Sequence, residues 1–203
     1  MGFKVKDHYY NKAKKKNYLA RSIFKLEEID HKFGLLEKTD SVVDLGYYPG
    51  SWIQYASKII NDNGTVVGVD IQEVNNKISS LKNVKLFCKD VFSIASPEDL
   101  GVHDKFDVVL SDMAPKTCGI KEVDQARSLE LVEKVFSLLP TMLKEGGNLV
   151  IKVFDSHDAQ EYLAENRKHF ELFKNFKPKS TRSVSKEFFV IGKGYKIAEQ
   201  NQP

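Results

Sequence analysis

The chain has 203 residues, 41% hydrophobic and 29% charged, with a formal net charge of +3. That is the size of one domain with a full core; no apolar run of about 18 residues offers a membrane span, and the opening Met-Gly-Phe-Lys-Val-Lys lacks the apolar stretch of a secretion signal. Cys88 and Cys118 have no metal-ligand spacing, and the plain expectation for them is a reducing, cytoplasmic setting.

The charge is unevenly placed. Residues 1–25 hold eight Lys/Arg against Asp7, and residues 172–196 hold seven against Glu187. These stretches carry +7 and +6 and leave −10 for the remainder. Two basic regions on an acidic body predict a polyanion-binding surface. Residues 1–16 read as a basic arm, with Tyr9 and Tyr10 among the lysines as stacking platforms for single-stranded nucleic acid.

From Asn17 to Lys32 the apolar residues Leu19, Ile23, Leu26 and Ile29 follow a helical period, and Gly34 supplies the stop. Lys25 falls at the border of that apolar face. Ser41-Val42-Val43-Asp44-Leu45-Gly46-Tyr47-Tyr48-Pro49-Gly50-Ser51-Trp52 then reads as a buried strand, a glycine turn and a helix start. Such a turn cradles a nucleotide cofactor in doubly wound α/β folds. The spacing of Gly46 and Gly50 fails the Gly-x-Gly-x-x-Gly pattern, which argues against a nicotinamide dehydrogenase.

A second strand, Thr65–Asp70, follows the turn signal Asn61-Asp62-Asn63-Gly64. A short helix is expected over 74–81, then a third strand from Val84 to Asp90. Asp70, about twenty residues past the glycine turn, is placed to accept hydrogen bonds from a ribose. Asp90 is placed to reach an adenine amino group. Phe106–Asp112 is the fourth strand, and its end lies where ligands sit in open α/β sheets. A long helix begins near Val123, with Pro140 expected to kink or restart it. Gly146-Gly147 opens the fifth strand, Asn148–Phe154. Lys152 interrupts that apolar run, and an ammonium in a central strand needs a partner or a function. A helix over 158–169 and a sixth strand over 171–176 follow. The link from Pro178 to Lys186 is too short for a helical crossover, so the last strand, Glu187–Gly192, must run antiparallel to its predecessor. The tail from Ile197 is expected to be disordered. Residues 1–203 read as a single domain.

Lys25, Asp112, Lys152 and Glu187 come from separate elements, yet three sit on or beside central strands. Together with Arg21-Ser22-x-Phe24-Lys25-Leu26, Asp44–Trp52, Ser111-Asp112-Met113-Ala114-Pro115, Val150–Phe154 and Ser185-Lys186-Glu187, they resemble the FtsJ/RrmJ-type ribosomal RNA 2′-O-methyltransferases over residues 7–195. The resemblance implies a Rossmann-like seven-stranded sheet, mostly parallel with an antiparallel last strand and helices on both faces. It implies S-adenosylmethionine (SAM) as cofactor, with Gly46, Gly50, Trp52, Asp70, Asp90 and Asp112 at the cofactor. It places Lys152, Lys25, Asp112 and Glu187 on the family's catalytic tetrad, with neutral Lys152 as general base. The implied substrate is a uridine of the large-subunit (23S) ribosomal RNA, met through the two basic regions by a monomer. Relatives of the same class act on transfer RNA or messenger RNA caps. A non-catalytic assembly factor on a decayed methyltransferase fold is the reading from a different class. Tyr47, Tyr48 and Ser51 replace the two alanines and second glycine usual in the family, and Lys116 replaces an asparagine.

Overall fold

The computed structural model describes residues 8–60, 63–182 and 184–197. The first seven residues of the expected basic arm and the expected tail beyond Ile197 lie outside them.

Seven strands form one sheet in the order β3-β2-β1-β4-β5-β7-β6. They are β1 (Ser41–Leu45), β2 (Thr65–Asp70), β3 (Val84–Cys88), β4 (Phe106–Ser111), β5 (Leu143–Phe154), β6 (Phe170–Phe176) and β7 (Glu187–Tyr195). The first five run parallel, and β7 pairs antiparallel with both β5 and β6. The order reverses between β1 and β4, where their carboxyl ends open a crevice.

Strand alternation divides the core in two. Val42, Val66, Leu110, Val150 and Phe189 pack towards α1 (His8–Lys15), α2 (Ile23–Phe33) and α3 (Ser51–Ile59). Val43, Val67, Val109, Ile151 and Val190 pack towards α4 (Lys121–Met142) and α5 (His157–Asn166). Runs such as Val-Val-Asp-Leu and Leu-Val-Ile-Lys-Val are apolar on both faces because helices cover both.

Several boundaries differ from the sequence-based expectation. Residues 8–15 of the arm are helix α1, because Ala13 and Tyr9 find apolar ground on α2. The helix expected from Asn17 begins at Ile23. Residues 74–81 form turns held by the Asn75 side chain, which donates to the Pro49 carbonyl and accepts from the Lys77 N–H. β3 stops at Cys88, so Asp90 lies past the strand and caps a 3-10 turn over Val91–Ser93. Pro140 sits inside the last turn of α4, which continues to Met142 without restarting. β5 begins at Leu143, ahead of the two glycines.

Candidate active site

The four tetrad candidates meet at the carboxyl edge of the sheet, on the α2 face. Asp112 follows Leu110 by two residues, Lys152 follows Val150 by two, and Glu187 precedes Phe189 by two, so all three share the face that α2 covers. The register sets Ser111 beside Ile151 and Glu187 beside Phe154. Lys25 descends from the first turns of α2. The N-terminal end of antiparallel β7 lies at the carboxyl edge of its parallel neighbours, which is how a late residue joins the set.

Lys152 Nζ lies 3.0 Å from Asp112 Oδ1 and donates a hydrogen bond of 2.5 Å to the Asp112 carbonyl. Lys25 Nζ lies 3.9 Å from the same carboxylate oxygen and 2.5 Å from Glu187 Oε1. The two amines therefore flank one carboxylate. Their side chains are only 8% and 11% exposed, which makes the carboxylates a requirement. Asp112 Oδ1 has ion-pair neighbours but no aligned hydrogen bond among the described residues. Burial raises the Glu187 carboxyl, but the Lys25 charge and hydrogen bond, helped by Lys152, hold it below the usual carboxylate range.

Beside the tetrad a cleft of about 820 Å³ is lined by Gly46, Tyr48, Asp70, Asp90, Phe92 and Asp112, among others. Gly46 has φ +79°, and a Cβ there would run into Met113 Cγ, so the glycine lets the loop after β4 close over the turn. Asp70 accepts hydrogen bonds from the Tyr48 and Gln72 N–H groups at 3.0 and 2.9 Å. Asp90 accepts one from Phe92 N–H at 3.0 Å. Each carboxylate keeps lone pairs for a ligand. Beneath the crevice Asp44 is 1% exposed, with neither oxygen hydrogen-bonded among the described residues. Burial, then the charges of Asp112 and Asp70, push its pKa well above the usual range.

Gly50 and Trp52 are not in the cleft lining. A Cβ on Gly50 would meet Ile78 and Leu19. The Trp52 ring is buried against Phe189 at 5.8 Å, and its indole N–H donates to the Ser22 carbonyl at 2.9 Å. Trp52 thus ties the start of α2, and so Lys25, to β7; only main-chain N–H groups at the start of α3 remain to face a ligand. Tyr47 is also absent from the cleft. Its ring is 3% exposed and covers Gly68 of β2, leaving the crevice open. Tyr48 stays at the mouth, 50% exposed.

The residues present fit SAM. Asp70, Asp90 and Asp112 offer carboxylates to a cationic molecule with a ribose diol and an adenine amine, while Ile71, Phe92 and Met113 offer apolar walls. Sequence reasoning missed Met113, Ile71 and Phe92 as lining; their one signal was position within two residues after the acids Asp112, Asp70 and Asp90.

Comparison with known proteins gives the family and the fold. The family model described as FtsJ-like methyltransferase matches residues 18–195. A curated relative from Bdellovibrio bacteriovorus, named ribosomal RNA large subunit methyltransferase E, is 43% identical, covering 95% of this chain and 98% of its own. One of the same name from Oleidesulfovibrio alaskensis is 45% identical, covering 95% and 93%. A crystal structure described as a ribosomal RNA methyltransferase of Plasmodium falciparum matches with a TM-score of 0.74 at 25% identity, covering 88% of this chain and 98% of that one. The fold alone is shared with a fibrillarin/Nop5p complex, TM-score 0.62 at 20% identity, covering 84% of this chain and 81% of that one.

Proposed function

The chain belongs to the FtsJ-like methyltransferase family, and from that premise we propose that it transfers a methyl group from SAM to a ribose 2′-OH of a uridine in large-subunit ribosomal RNA. The observation that carries the reading is the meeting of two buried amines on Asp112 at the edge of an open acidic cleft.

When bound, SAM supplies a methyl group already activated by its sulfonium. Asp70 would hold the ribose of the cofactor, Asp90 its adenine amine, and Asp112 its positively charged end; Gly46, Gly50 and Trp52 would contribute main-chain contacts along the turn. The protein's remaining task is to place a sugar oxygen and remove its proton. Lys152, in its neutral form, takes the 2′-OH proton through Nζ, a role within the range of general-base catalysis. Asp112 orients that amine. Lys25, held by Glu187, positions the hydroxyl or its adjoining phosphate. Fixing oxygen and methyl in line supplies a large share of the rate. The 2′-OH also distinguishes RNA from DNA.

The relatives' names support large-subunit ribosomal RNA as substrate. Beyond Glu187 a groove lined by Lys121, Lys177 and Lys186 offers the RNA a basic path. A single domain acting as a cytoplasmic monomer completes the reading; among the described residues no helix is long and apolar enough to cross a membrane. Of the two tyrosines that favour an assembly factor, Tyr47 packs away from the cleft and Tyr48 stands half-exposed at its mouth.

The test is transfer of labelled methyl from SAM to large ribosomal particles isolated from cells lacking the protein, followed by mapping of 2′-O-methyl sites. One new methylated uridine is expected. Tight SAM binding without any transfer would overturn the enzymatic reading.

A further inference from the structure

The link between β6 and β7 is longer than its strands require. The two pair antiparallel, with Phe176 beside Phe189, and a connection of about two to five residues commonly closes such a pair. Here the link runs over 177–186, with neither helix nor strand among its described residues. It holds Lys177, Lys179, Arg182 and Lys186 and no acid. Lys177, Val184, Ser185 and Lys186 line a groove of about 560 Å³ beside Glu187, which Lys121 of α4 and Asp155 after β5 complete. Loop length beyond what closure needs is where binding surfaces are built.

A carboxylate on α2 fastens this link. Glu28 accepts from the Lys179 N–H at 2.6 Å and from the Ser180 N–H at 2.9 Å, one on each oxygen. Two successive amides aimed at one spot make an anion site of main-chain dipoles, and the protein fills it with its own charge. Hydrogen bonds to an ionised acceptor are the stronger kind. Arg21 adds a bond to the Ser180 carbonyl, and Lys177 closes the link across itself on the Ser185 carbonyl at 2.7 Å. The buried hydroxyls do not share in the fastening: those of Ser180 and Thr181 have no hydrogen-bond partner among the described residues. Leaving them unpaired is costly, and four cations in one short link repel. The link is therefore folded against a cost that Glu28 offsets. Glu28 is also a helical neighbour of Lys25, three residues on, and Lys25 grips Glu187 at the far end of the link at 2.5 Å.

We propose that Glu28 is a positioning residue for the RNA: by holding the Lys179 and Ser180 amides it keeps the basic 177–186 link folded as a wall of the groove beside Glu187, where the strand flanking the target ribose lies. This rests on the methyl-transfer reading above and specifies how the RNA surface is preformed. Glu28 touches neither RNA nor cofactor. It spares the RNA the entropy of ordering the link on binding, so its effect falls on RNA affinity and leaves the methyl transfer itself alone.

The experiment compares wild-type protein with Glu28→Ala and Glu28→Gln on large ribosomal particles from cells lacking the protein. Amide hydrogen exchange over 177–186 is read alongside particle binding, KM, kcat and SAM affinity. In Glu28→Ala the amides of 179 and 180 should exchange at least about tenfold faster, and KM for particles should rise about tenfold, while kcat and SAM affinity hold within about threefold. Glu28→Gln keeps one acceptor oxygen and should fall between; it carries the same comparison if Glu28→Ala does not fold. Lys186→Gln should raise KM less in the Glu28→Ala background than in wild type, because the wall it belongs to is already displaced. Unchanged exchange, or faster exchange with unchanged KM, would overturn the proposal. So would kcat and SAM affinity falling in step with KM, which would mark Glu28 as a residue of general stability. If wild-type protein transfers no methyl group to particles, the methyl-transfer reading is at fault; particle binding then decides the role of Glu28, and equal affinity of wild type and Glu28→Ala would refute it.

Discussion

Lys25 reaches Glu187 across 162 residues of chain, Nζ to Oε1 at 2.5 Å. Burial alone would raise the folded carboxyl, but the Lys25 charge and hydrogen bond, together with the Lys152 charge and the Ser185 hydroxyl, hold it below its usual range. A depressed folded pKa contributes stability above the unfolded value of about 4.3, and that contribution is lost as pH falls through the lower folded value. Glu187→Gln should therefore cost about 1–3 kcal/mol at pH 7 and much less at pH 3. Thermal unfolding of both proteins at the two pH values checks this; an equal deficit at both would remove the ion pair from the account.

Lys152→Ala should lower turnover by about 10²–10⁴-fold, the range of a lost general base. SAM affinity, read by calorimetry, should stay within about threefold, since Asp70 and Asp90, the acids proposed for the adenosine, lie at the end of β2 and past β3. Turnover close to wild type would assign the proton to another group.

Most of the site was legible because strand ends are legible. A continuous apolar run that stops at an acid, or breaks at one lysine, announces both the strand and the residue at its edge. Asp70, Asp112 and Lys152 were placed this way, and β7 followed from a link too short to cross the sheet. What escaped notice were outcomes of packing. Trp52 sits in a glycine turn, yet its ring serves the junction of α2 with β7. Residues 8–15 carry three lysines that mask a helix whose stability comes from Tyr9 and Ala13 on α2. Asp90 reads as a strand end, but the ladder with β2 stops at Cys88.

Tyr47 depends on Gly68. A Cβ on Gly68 would lie 2.9 Å from Tyr47 Cδ1 and 2.7 Å from Leu86 Cδ2. Gly68→Ala should destabilise by about 1–3 kcal/mol through overpacking. Tyr47→Ala alone should cost about 3–5 kcal/mol, as for other buried aromatics. The double variant should be less destabilised than the sum, since each change relieves the other. Denaturant unfolding of the four proteins gives the coupling, and strict additivity would mean that ring and glycine do not share space.

Asp44 titrates well above the usual range in the folded protein, with burial as the main cause. Between the unfolded pKa of about 3.9 and the folded value, the unfolded chain releases a proton that the native protein keeps. Stability therefore falls as pH rises through that window. Asp44→Asn removes the titration and keeps the shape, so it should flatten the decline and raise Tm at pH 7 by a few degrees. A lower Tm at pH 7 for Asp44→Asn would show that the carboxyl has a partner when folded.

The placement of β7 has a consequence for the chain during its own synthesis. The crevice with Asp70, Asp90 and Asp112 is encoded in the first three-fifths of the polypeptide, but Glu187 arrives at the start of the final strand. The acids of the crevice and the clasp for Lys25 therefore leave the ribosome at different times. A chain cut short between Asp112 and Glu187 would carry those acids without the carboxylate that fixes Lys25 or the β7 residues that complete the core.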